Sequence, residues 1–498
     1  MLAVAGCVTA VLLAMSGRYG YHRDELYFIA AGHHLAWGYP DQPVLVPLLA
    51  RALSAVAPDS VAVLRVPSAL AAGAVVVLTG RLTNEVGGGR PAQVLAAATM
   101  AVAPILLGTG HLLSTSTFDL LAWAVLVWLV LLTLRRTTND LHPVGDPHPG
   151  GDRWWVVVGM VAGIGLLDSD LVAFLMGALV VGIAIAGPRR VFRSAWLWTG
   201  GAIAVAMWSP YLVWQASHGW PQLTISRAIA AGSSGSSQPR ALFLPYQLGL
   251  VSVFLAPVWI AGLVRLLRDP ALRWCRSIGW AYVVLAVVFL VTGGKAYYIA
   301  GLFPVLLAAG AQPAVDWLHR GRDRMRRRAF ATALGLSAVV SVLITQPVLP
   351  VRVLSDTPIV SLNYDTGETI AWPAYVEEIA AVYRQLPPAQ RGATAIVASN
   401  YGEAGAVDHY GPAWGLSPAH GVHNGYWYWG PPPDSTTVAL AVGFTATDVA
   451  QFCTQASLAT RLDNHLGIHN DEQGRPVWLC TTFRASWSTL WPKLRRLG

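Results

Sequence analysis

Long apolar runs separated by short polar loops occupy the chain as far as residue 349. A membrane-spanning helix needs roughly 20 apolar residues. Runs that approach this length occur at 1–16, 61–80, 92–108, 118–134, 154–168, 170–187, 195–216, 244–266, 278–292, 296–313 and 329–349. This pattern predicts a polytopic α-helical membrane protein with about eleven spans. Two further segments, 24–37 and 44–57, are predicted as helices that lie in the membrane interface in the first outer loop.

From residue 350 the pattern changes to that of a soluble domain. Short apolar segments at 393–399, 437–444 and 476–483 are predicted as buried strands. Segments with helical character fall between them, at 372–386, 402–410 and 446–457. The alternation predicts a small α/β domain packed on the membrane part. We therefore divide the chain into a transmembrane domain, 1–349, and an outer domain, 350–498.

The distribution of charge agrees with a membrane protein. Only 12% of the residues are charged, against roughly a quarter in soluble domains. The net charge of +8 does not indicate a nucleic-acid partner, because the basic residues cluster in short loops between apolar runs. With the N-terminus inside, the inner loops hold eighteen basic residues and the outer loops of the membrane part hold six. This bias predicts a cytoplasmic N-terminus and an extracytoplasmic outer domain.

Two cysteines, Cys453 and Cys480, fall in the outer domain. A disulfide between them is predicted if that domain is extracytoplasmic. Two loops, 139–152 and 231–239, are rich in Gly, Pro or Ser and are predicted as linkers, the second alternatively as a substrate gate.

Carboxylates in the first outer loop are the candidates for catalysis. Asp24 and Glu25 are adjacent at the start of a predicted helix, and Asp41 lies in a turn flanked by prolines. Acidic groups this close to lipid are costly and usually functional. One carboxylate could accept a proton from an attacking hydroxyl, and a second could orient the first or bind a divalent cation such as Mg²⁺ or Mn²⁺. Alternatively, they are a solvated helix start and a turn-forming residue.

A lysine at an outer span end is the candidate for binding phosphate. Lys295 follows two glycines and precedes Tyr297 and Tyr298, which suits an ammonium group that meets a lipid phosphate. Alternatively, Lys295 extends to the interface only for solvation. Arg65 is a weaker candidate for the same role. His111 and Asp119, at another outer span end, are candidate substrate residues.

Two polar segments of the outer domain suit carbohydrate, because aromatic rings pack on sugar C–H surfaces while polar groups bond the hydroxyls. The candidate residues are Asn400, Tyr401, Glu403, His423 and Asn424. The alternative is that the aromatic residues pack this domain on the membrane part.

Taken together, these motifs resemble the GT-C membrane glycosyltransferases, and within them the protein O-mannosyltransferase and lipid A aminoarabinose transferase group. The resemblance rests on Asp-Glu in the first outer loop, the GYPDQP turn, GKAYY at 294–298 and HGWP at 218–221. It extends into the outer domain through SNYGEAGA and HNGYWYWGPP. Where the aminoarabinose transferases carry Lys after the second acidic position, this chain has Gln42. Where near relatives carry Asn-Lys-Tyr, this chain has Asp168-Ser169-Asp170.

The resemblance implies a bacterial inner-membrane enzyme with a polyprenyl-phosphate-linked sugar as donor. It would be an inverting hexosyl- or pentosyltransferase acting on the extracytoplasmic face, with a lipid, protein or glycan acceptor. Asp24 would be the base, Glu25 and Asp41 would support it or bind metal, and Gln42 would stand at a donor-phosphate position. Two other functions stay open: a transporter or flippase of lipid-linked sugars, and a non-catalytic glycan-binding scaffold.

Overall fold

The computed structural model describes residues 1–139, 151–232, 237–320 and 324–498. The predicted linker at 139–152 lies largely outside these ranges, and so does the middle of 231–239. The helices of the membrane part are α1 Leu2–Met15, α2 Arg23–His33, α3 Leu45–Val56, α4 Val61–Leu64, α5 Val66–Glu85, α6 Arg90–Ala101, α7 Pro104–His111, α8 Thr115–Asn139, α9 Trp154–Leu166, α10 Leu171–Ala186, α11 Ala195–Ser217, α12 Pro221–Ala230, α13 Phe243–Val251, α14 Ala256–Arg268, α15 Arg276–Thr292, α16 Phe303–His319 and α17 Arg324–Thr345. Each predicted apolar run is thus a helix or a broken helix.

The membrane part has several helices long enough to cross a bilayer. Among the described residues, five segments are both long and apolar enough: Val61–Glu85, Thr115–Arg136, Pro270–Thr292, Ala296–His319 and Arg324–Thr345. Two bent pairs raise this number to seven; they bend by 57° between α6 and α7 and by 109° between Arg240–Val251 and α14. The chain is therefore a multi-pass membrane protein, and the eleven spans stay a prediction.

Small residues let the membrane helices approach closely. A Cβ added at Gly262 of α14 would collide with the Leu306 carbonyl of α16, and one at Gly310 would collide with the Val258 carbonyl. Without a strong hydrophobic driving force inside lipid, helices gain stability from such close van der Waals packing.

The outer domain contains one five-stranded sheet. Its strands are β1 Thr394–Ala398, β2 Ala419–Gly421, β3 Val438–Val442, β4 Cys453–Arg461 and β5 Pro476–Phe483, in the order β2-β1-β3-β5-β4. Its helices are α18 Ile359–Leu362, α19 Tyr364–Gly367, α20 Trp372–Gln385, α21 Pro388–Arg391, α22 Tyr401–Tyr410, α23 Gly425–Tyr428, α24 Ala446–Val449 and α25 Trp487–Leu490. The first three strands in this order are parallel, and β5 runs antiparallel to both of its neighbours, β3 and β4. The three predicted strands are confirmed.

The helix predicted at 446–457 is wrong. Only α24 is helical there, and β4 begins at Cys453. Because β4 is an edge strand whose side chains are mostly exposed, it lacks the buried alternation that identifies a strand in sequence. The structure joins Cys453 of β4 to Cys480 of β5 in a disulfide.

One face of the sheet shares a hydrophobic core with the first outer loop. Ile396 of β1 and Leu440 of β3 pack in the same cluster as Leu26 and Tyr27 of α2. Parallel strands point the same way, so their carboxyl ends lie at the same end of the sheet. The residues that follow β1 and β2 therefore leave the sheet side by side. This end of the sheet carries the loops that reach α2, and so places the candidate site between the two parts of the chain.

Candidate active site

The two adjacent carboxylates of α2 have different environments. Successive residues of a helix point about 100° apart, and here Glu25 points inward while Asp24 points outward. Oε1 of Glu25 accepts hydrogen bonds from Arg65 Nε (2.8 Å) and Leu113 N (2.9 Å), and Oε2 accepts from Arg65 Nη2 (2.7 Å) and His22 N (2.8 Å). Burial alone would raise the pKa of Glu25, but the Arg65 guanidinium and these backbone donors hold it below its ordinary value.

Glu25 and Arg65 therefore form a buried ion pair, and this pairing does not favour their predicted roles in catalysis and phosphate binding. Both side chains are fully buried. Arg65 also donates to the carbonyl oxygens of Ser16 (3.0 Å) and Gly20 (2.9 Å). Each oxygen of Glu25 already accepts two hydrogen bonds, and the guanidinium donates five, the fifth to His111 Nε2. Neither group can take up a substrate without breaking this network.

Asp24 is accessible. Its side chain is 39% exposed. Oδ1 accepts a hydrogen bond from the Tyr401 hydroxyl at 2.8 Å, and Oδ2 lies 3.8 Å from His22 Nδ1. The Arg23 guanidinium lies over the Tyr401 ring at 4.8 Å and binds Asp471 at 2.7 Å. The outer domain thus orients this carboxylate and leaves part of it open to a reactant.

Asp41 lies in a tight turn after α2. Gly38 and Pro43 form a β-bridge, and Tyr39 N–H donates to the Gln42 carbonyl. Oδ1 of Asp41 accepts from the Tyr27 hydroxyl at 2.9 Å, and Oδ2 accepts from Asn424 Nδ2 at 3.4 Å.

The charge of Asp24 influences the protonation of Asp41. Burial raises the pKa of Asp41 to about 7, and the nearby charge of Asp24 contributes to this rise. Tyr27, which binds Asp41, packs on Tyr401, which binds Asp24, with ring centroids 4.9 Å apart. Asp24 and Asp41 therefore flank one pair of aromatic rings, and Asp41 can exchange a proton near neutral pH.

The positive charge of Lys295 acts on Asp365, which lies beside His22. His22 Nε2 is 3.7 Å from Asp365 Oδ1. Burial would raise the pKa of Asp365, but His22 and the positive charges of Lys295 and Arg23 hold it below its ordinary value. Lys295, Asp365, His22 and Asp24 thus form a series of neighbouring titratable groups across the two parts of the chain.

The other predicted donor-binding residues lie near Lys295 or near Asp41. The Lys295 ammonium is 5.8 Å from the Tyr297 ring. Tyr298 packs edge-on against Tyr297 (5.1 Å) and against Phe289. Gln42 is 4% exposed, and its amide nitrogen has no hydrogen-bond partner within the described part of the chain.

Two predicted substrate residues of the membrane part lie elsewhere. His111 Nε2 is 3.3 Å from Arg65 Nη1, so it packs against the Glu25 ion pair. Asp119 accepts from Trp123 Nε1 at 2.9 Å and lies beside the buried Asp168. Neither contacts Asp24 or Asp41 in the hydrogen bonds of the described residues. Their role as substrate residues stays a prediction.

The outer-domain candidates divide into two groups. Asn400 and Glu403 cap α22: Asn400 Oδ1 accepts from Glu403 N, and Glu403 Oε2 accepts from the backbone N–H groups of Ser399 and Asn400. These hydrogen bonds serve the start of the helix, and the predicted role of both residues in substrate binding stays a prediction. The second group, Tyr401, His423 and Asn424, reaches the carboxylates.

His423 is a neutral member of that second group. Its ring stacks on Tyr401 with centroids 5.1 Å apart. Burial, together with the charges of Arg23 and Arg496, lowers the pKa of His423 to about 3. This histidine therefore contributes a flat polar surface and no charge.

Comparisons with known proteins give a consistent result. Residues 41–214 match the family model described as dolichyl-phosphate-mannose-protein mannosyltransferase. The structure of ArnT from Cupriavidus metallidurans bound to undecaprenyl phosphate is 16% identical and has a TM-score of 0.58, covering 96% of this chain and 97% of that one. The apo form is 15% identical with a TM-score of 0.57, over 100% and 98% of the two chains. The chain has the GT-C glycosyltransferase fold.

A more distant GT-C structure agrees in part. The archaeal oligosaccharyltransferase AglB from Archaeoglobus fulgidus, in complex with an inhibitory peptide and a dolichol-phosphate, is 13% identical with a TM-score of 0.51. The match covers 82% of this chain and 63% of that one. Curated protein sequences give no match. At these identities the likeness shows the fold alone.

Within this GT-C chain, the three carboxylates predicted as metal ligands do not fit one ion. Glu25 is saturated by Arg65 and backbone donors, whereas Asp24 and Asp41 each accept from a tyrosine. No group of three acidic, histidine or cysteine side chains in the described ranges is arranged to hold a metal ion. The trio therefore cannot act as joint ligands in this arrangement.

Sequence reasoning missed four residues of the site. Tyr27 lies one helical turn after Asp24, so its position on the same face of α2 could have been inferred. His22 precedes α2 and caps it, because its Nδ1 accepts from the Asp24 N–H at 3.2 Å. Asp365 and Arg23 carried no signal, since only the packing of the outer domain on α2 gives them their partners.

Proposed function

We propose that the protein is an integral membrane glycosyltransferase that transfers a sugar from a polyprenyl-phosphate-linked donor to an acceptor hydroxyl. The acceptor oxygen attacks the anomeric carbon, its proton passes to Asp24, and the bond from that carbon to the phosphate oxygen breaks with the electron pair leaving on phosphate. A single displacement of this kind inverts the anomeric configuration.

The observation that carries this proposal is the state of Asp24. It is the carboxylate of the adjacent pair that is not consumed by an ion pair, and Tyr401 fixes one of its oxygens at 2.8 Å while the side chain stays 39% exposed. A general base needs such orientation together with access to the acceptor hydroxyl. Asp41, with a pKa raised to about 7, would relay or share the proton.

Charge near the leaving group supports the donor assignment. Lys295 lies at the end of a span, and its charge acts on Asp365. Asp365 in turn lies 3.7 Å from His22. A cation at this place would neutralise the departing phosphate and lower the barrier to its departure. The GT-C structures with undecaprenyl phosphate or dolichol-phosphate bound favour a polyprenyl phosphate as carrier.

We further propose the bacterial inner membrane as the location, with the site on the extracytoplasmic face. The excess of basic residues in the predicted inner loops supports this orientation. The charges of the site lie at the ends of membrane helices and in the outer domain, which favours an enzyme over a transporter that would expose its site to both sides.

The test uses purified protein in proteoliposomes with radiolabelled polyprenyl-phosphate sugars and a panel of lipid, peptide and glycan acceptors. A glycosyltransferase forms labelled product. Movement of label across the bilayer without product indicates a transporter, and retention on the protein alone indicates a scaffold. Asp59→Asn is the matched control for site variants, because Asp59 is an 81% exposed carboxylate at the far end of the same outer loop.

A further inference from the structure

Residues 494–498 run beside the loop that reaches Asp41. Arg496 N–H donates to the Val422 carbonyl at 2.8 Å, and Asn424 N–H donates to the Arg496 carbonyl at 3.0 Å. These bonds form a parallel β-bridge between His423 and Arg496. Residues 494–498, the terminal segment, thus pair with the chain just after strand β2. This pairing fixes the backbone of the loop that follows β2.

Asn424 connects this segment to Asp41. Its Oδ1 accepts a hydrogen bond from Gly498 N–H at 3.3 Å, while its Nδ2 donates to Asp41 Oδ2 at 3.4 Å. The side chain is 5% exposed, so water does not replace these partners. The backbone of Asn424 has φ of 47°, a conformation that non-glycine residues rarely adopt without tertiary support. The pairing with Arg496 supplies that support.

The same loop reaches Asp41 by a second route. Gly425 N–H donates to the Tyr27 hydroxyl at 3.1 Å, and that hydroxyl donates to Asp41 Oδ1. A Cβ added at Gly425 would lie 2.5 Å from the Tyr27 oxygen. Both oxygens of Asp41 therefore depend on the position of residues 424 and 425.

Contacts with both parts of the chain anchor the terminal segment. Arg496 forms an ion pair with Asp448 at 2.8 Å and lies over the Phe444 ring at 5.3 Å. Gly498 lies against α12 of the membrane part, where an added Cβ would come within 3.0 Å of Ala228.

We propose that residues 494–498 are a positioning element for the Asp41 carboxylate, acting through the Asn424 amide. This inference rests on the proposed function only for the role of Asp41 in sugar transfer. The geometry that connects residues 494–498 to Asp41 does not depend on the proposed function. The segment holds Asn424 in a conformation that the loop alone would not keep, and Asn424 fixes Oδ2 of Asp41 while Tyr27 fixes Oδ1.

Variants at both ends of this connection test the inference. Asn424→Ala removes the donor to Asp41, Asn424→Asp replaces it with a carboxylate, and Gly498→Pro removes the N–H that Asn424 accepts from. Lys493→Ala is the control, since Lys493 is an exposed cation immediately before this segment. The other titratable groups that influence Asp41 or are influenced by it are Tyr27, Asp24, Tyr39, Tyr211 and Tyr401.

The primary readout is the protonation of Asp41 itself, followed by infrared difference spectroscopy as the carboxylic acid band that disappears in Asp41→Asn. Loss of a hydrogen bond to the charged form raises the midpoint of this titration, by about half a pH unit for one weak bond. We expect an upward shift in Asn424→Ala, a larger one in Asn424→Asp, a smaller one in Gly498→Pro and none in Lys493→Ala. The pH limb of kcat/KM for transfer should move with the midpoint.

An unchanged midpoint in both Asn424→Ala and Gly498→Pro, in protein whose melting temperature is that of the parent, overturns the inference. Since the infrared readout needs no substrate, a parent protein that transfers no sugar but shows the expected shifts would refute the proposed function and leave the positioning element standing. Normal transfer with unshifted midpoints would do the reverse.

Discussion

The Tyr401 hydroxyl donates a hydrogen bond to Oδ1 of Asp24 across 2.8 Å. The two residues belong to different parts of the chain, and their contact makes the outer domain a component of the site. Tyr401 begins α22 directly after β1, so the sheet edge determines where its hydroxyl lies.

Removing that hydroxyl should slow transfer without unfolding the protein. Tyr401→Phe keeps the ring under Arg23 and loses only the bond to Asp24, which should lower kcat about tenfold for a lost charge-assisted hydrogen bond. Steady-state kinetics at fixed pH measures this change. Tyr383→Phe is the control, because it also loses one hydrogen bond, to the Arg391 carbonyl, in the same domain. Equal rates in the two variants would contradict the role of Tyr401.

The ion pair between Glu25 and Arg65 should matter for folding. Glu25→Gln or Arg65→Met leaves the partner charge buried and unpaired, which typically costs about 3–5 kcal/mol. The double variant Glu25→Leu with Arg65→Met should recover much of this loss, because no charge stays buried. Thermal unfolding in detergent measures the difference. Single variants as stable as the parent would show that the pair contributes little.

The elevated pKa of Asp41 predicts that both the rate of transfer and the stability of the fold depend on pH. If Asp41 acts as an ion, kcat/KM should rise with pH through about 7, and Asp41→Asn should remove this limb. The folded state binds the proton more tightly than the unfolded state, whose carboxyl titrates near 3.8. The contribution of Asp41 to stability is therefore complete below pH 4 and is lost as the pH rises to about 7. A transfer rate that is flat from pH 6 to 8 would contradict this assignment.

The disulfide should stabilise the outer domain without serving the site. It closes a loop with a sequence separation of 27 residues, which on chain-entropy grounds corresponds to about 3.5 kcal/mol. Cys453→Ser with Cys480→Ser should lower the melting temperature. Because β4 is the edge strand farthest from β2 in the sheet order, kcat should change less than twofold. A large loss of activity in a folded double variant would show that strand β4 contributes to catalysis.

The sequence was informative where a pattern is local. Apolar run lengths predict the helices of the membrane part, and buried strands such as 393–399 are recognisable by composition alone. Asp24 and Asp41 stand out because acids are rare near lipid. The separation of Asp24 from Glu25 could not be predicted, since it depends on Arg65, which approaches from another helix.

The remaining differences between prediction and structure have three separate causes. Asn400 and Glu403 form a capping box, a pattern present in the sequence, yet their polarity also suits sugar binding. The exposed edge strand β4 has no buried face to give it a period of two. His22 and Asp365 meet only after the outer domain packs on α2.

The rate of sugar transfer by Asp24→Asn tests the central claim most directly. Single-turnover transfer from a labelled polyprenyl-phosphate sugar should fall at least 100-fold relative to the parent, as for loss of a general base, while Asp59→Asn transfers normally. A single-turnover rate in Asp24→Asn equal to that of the parent would contradict the account.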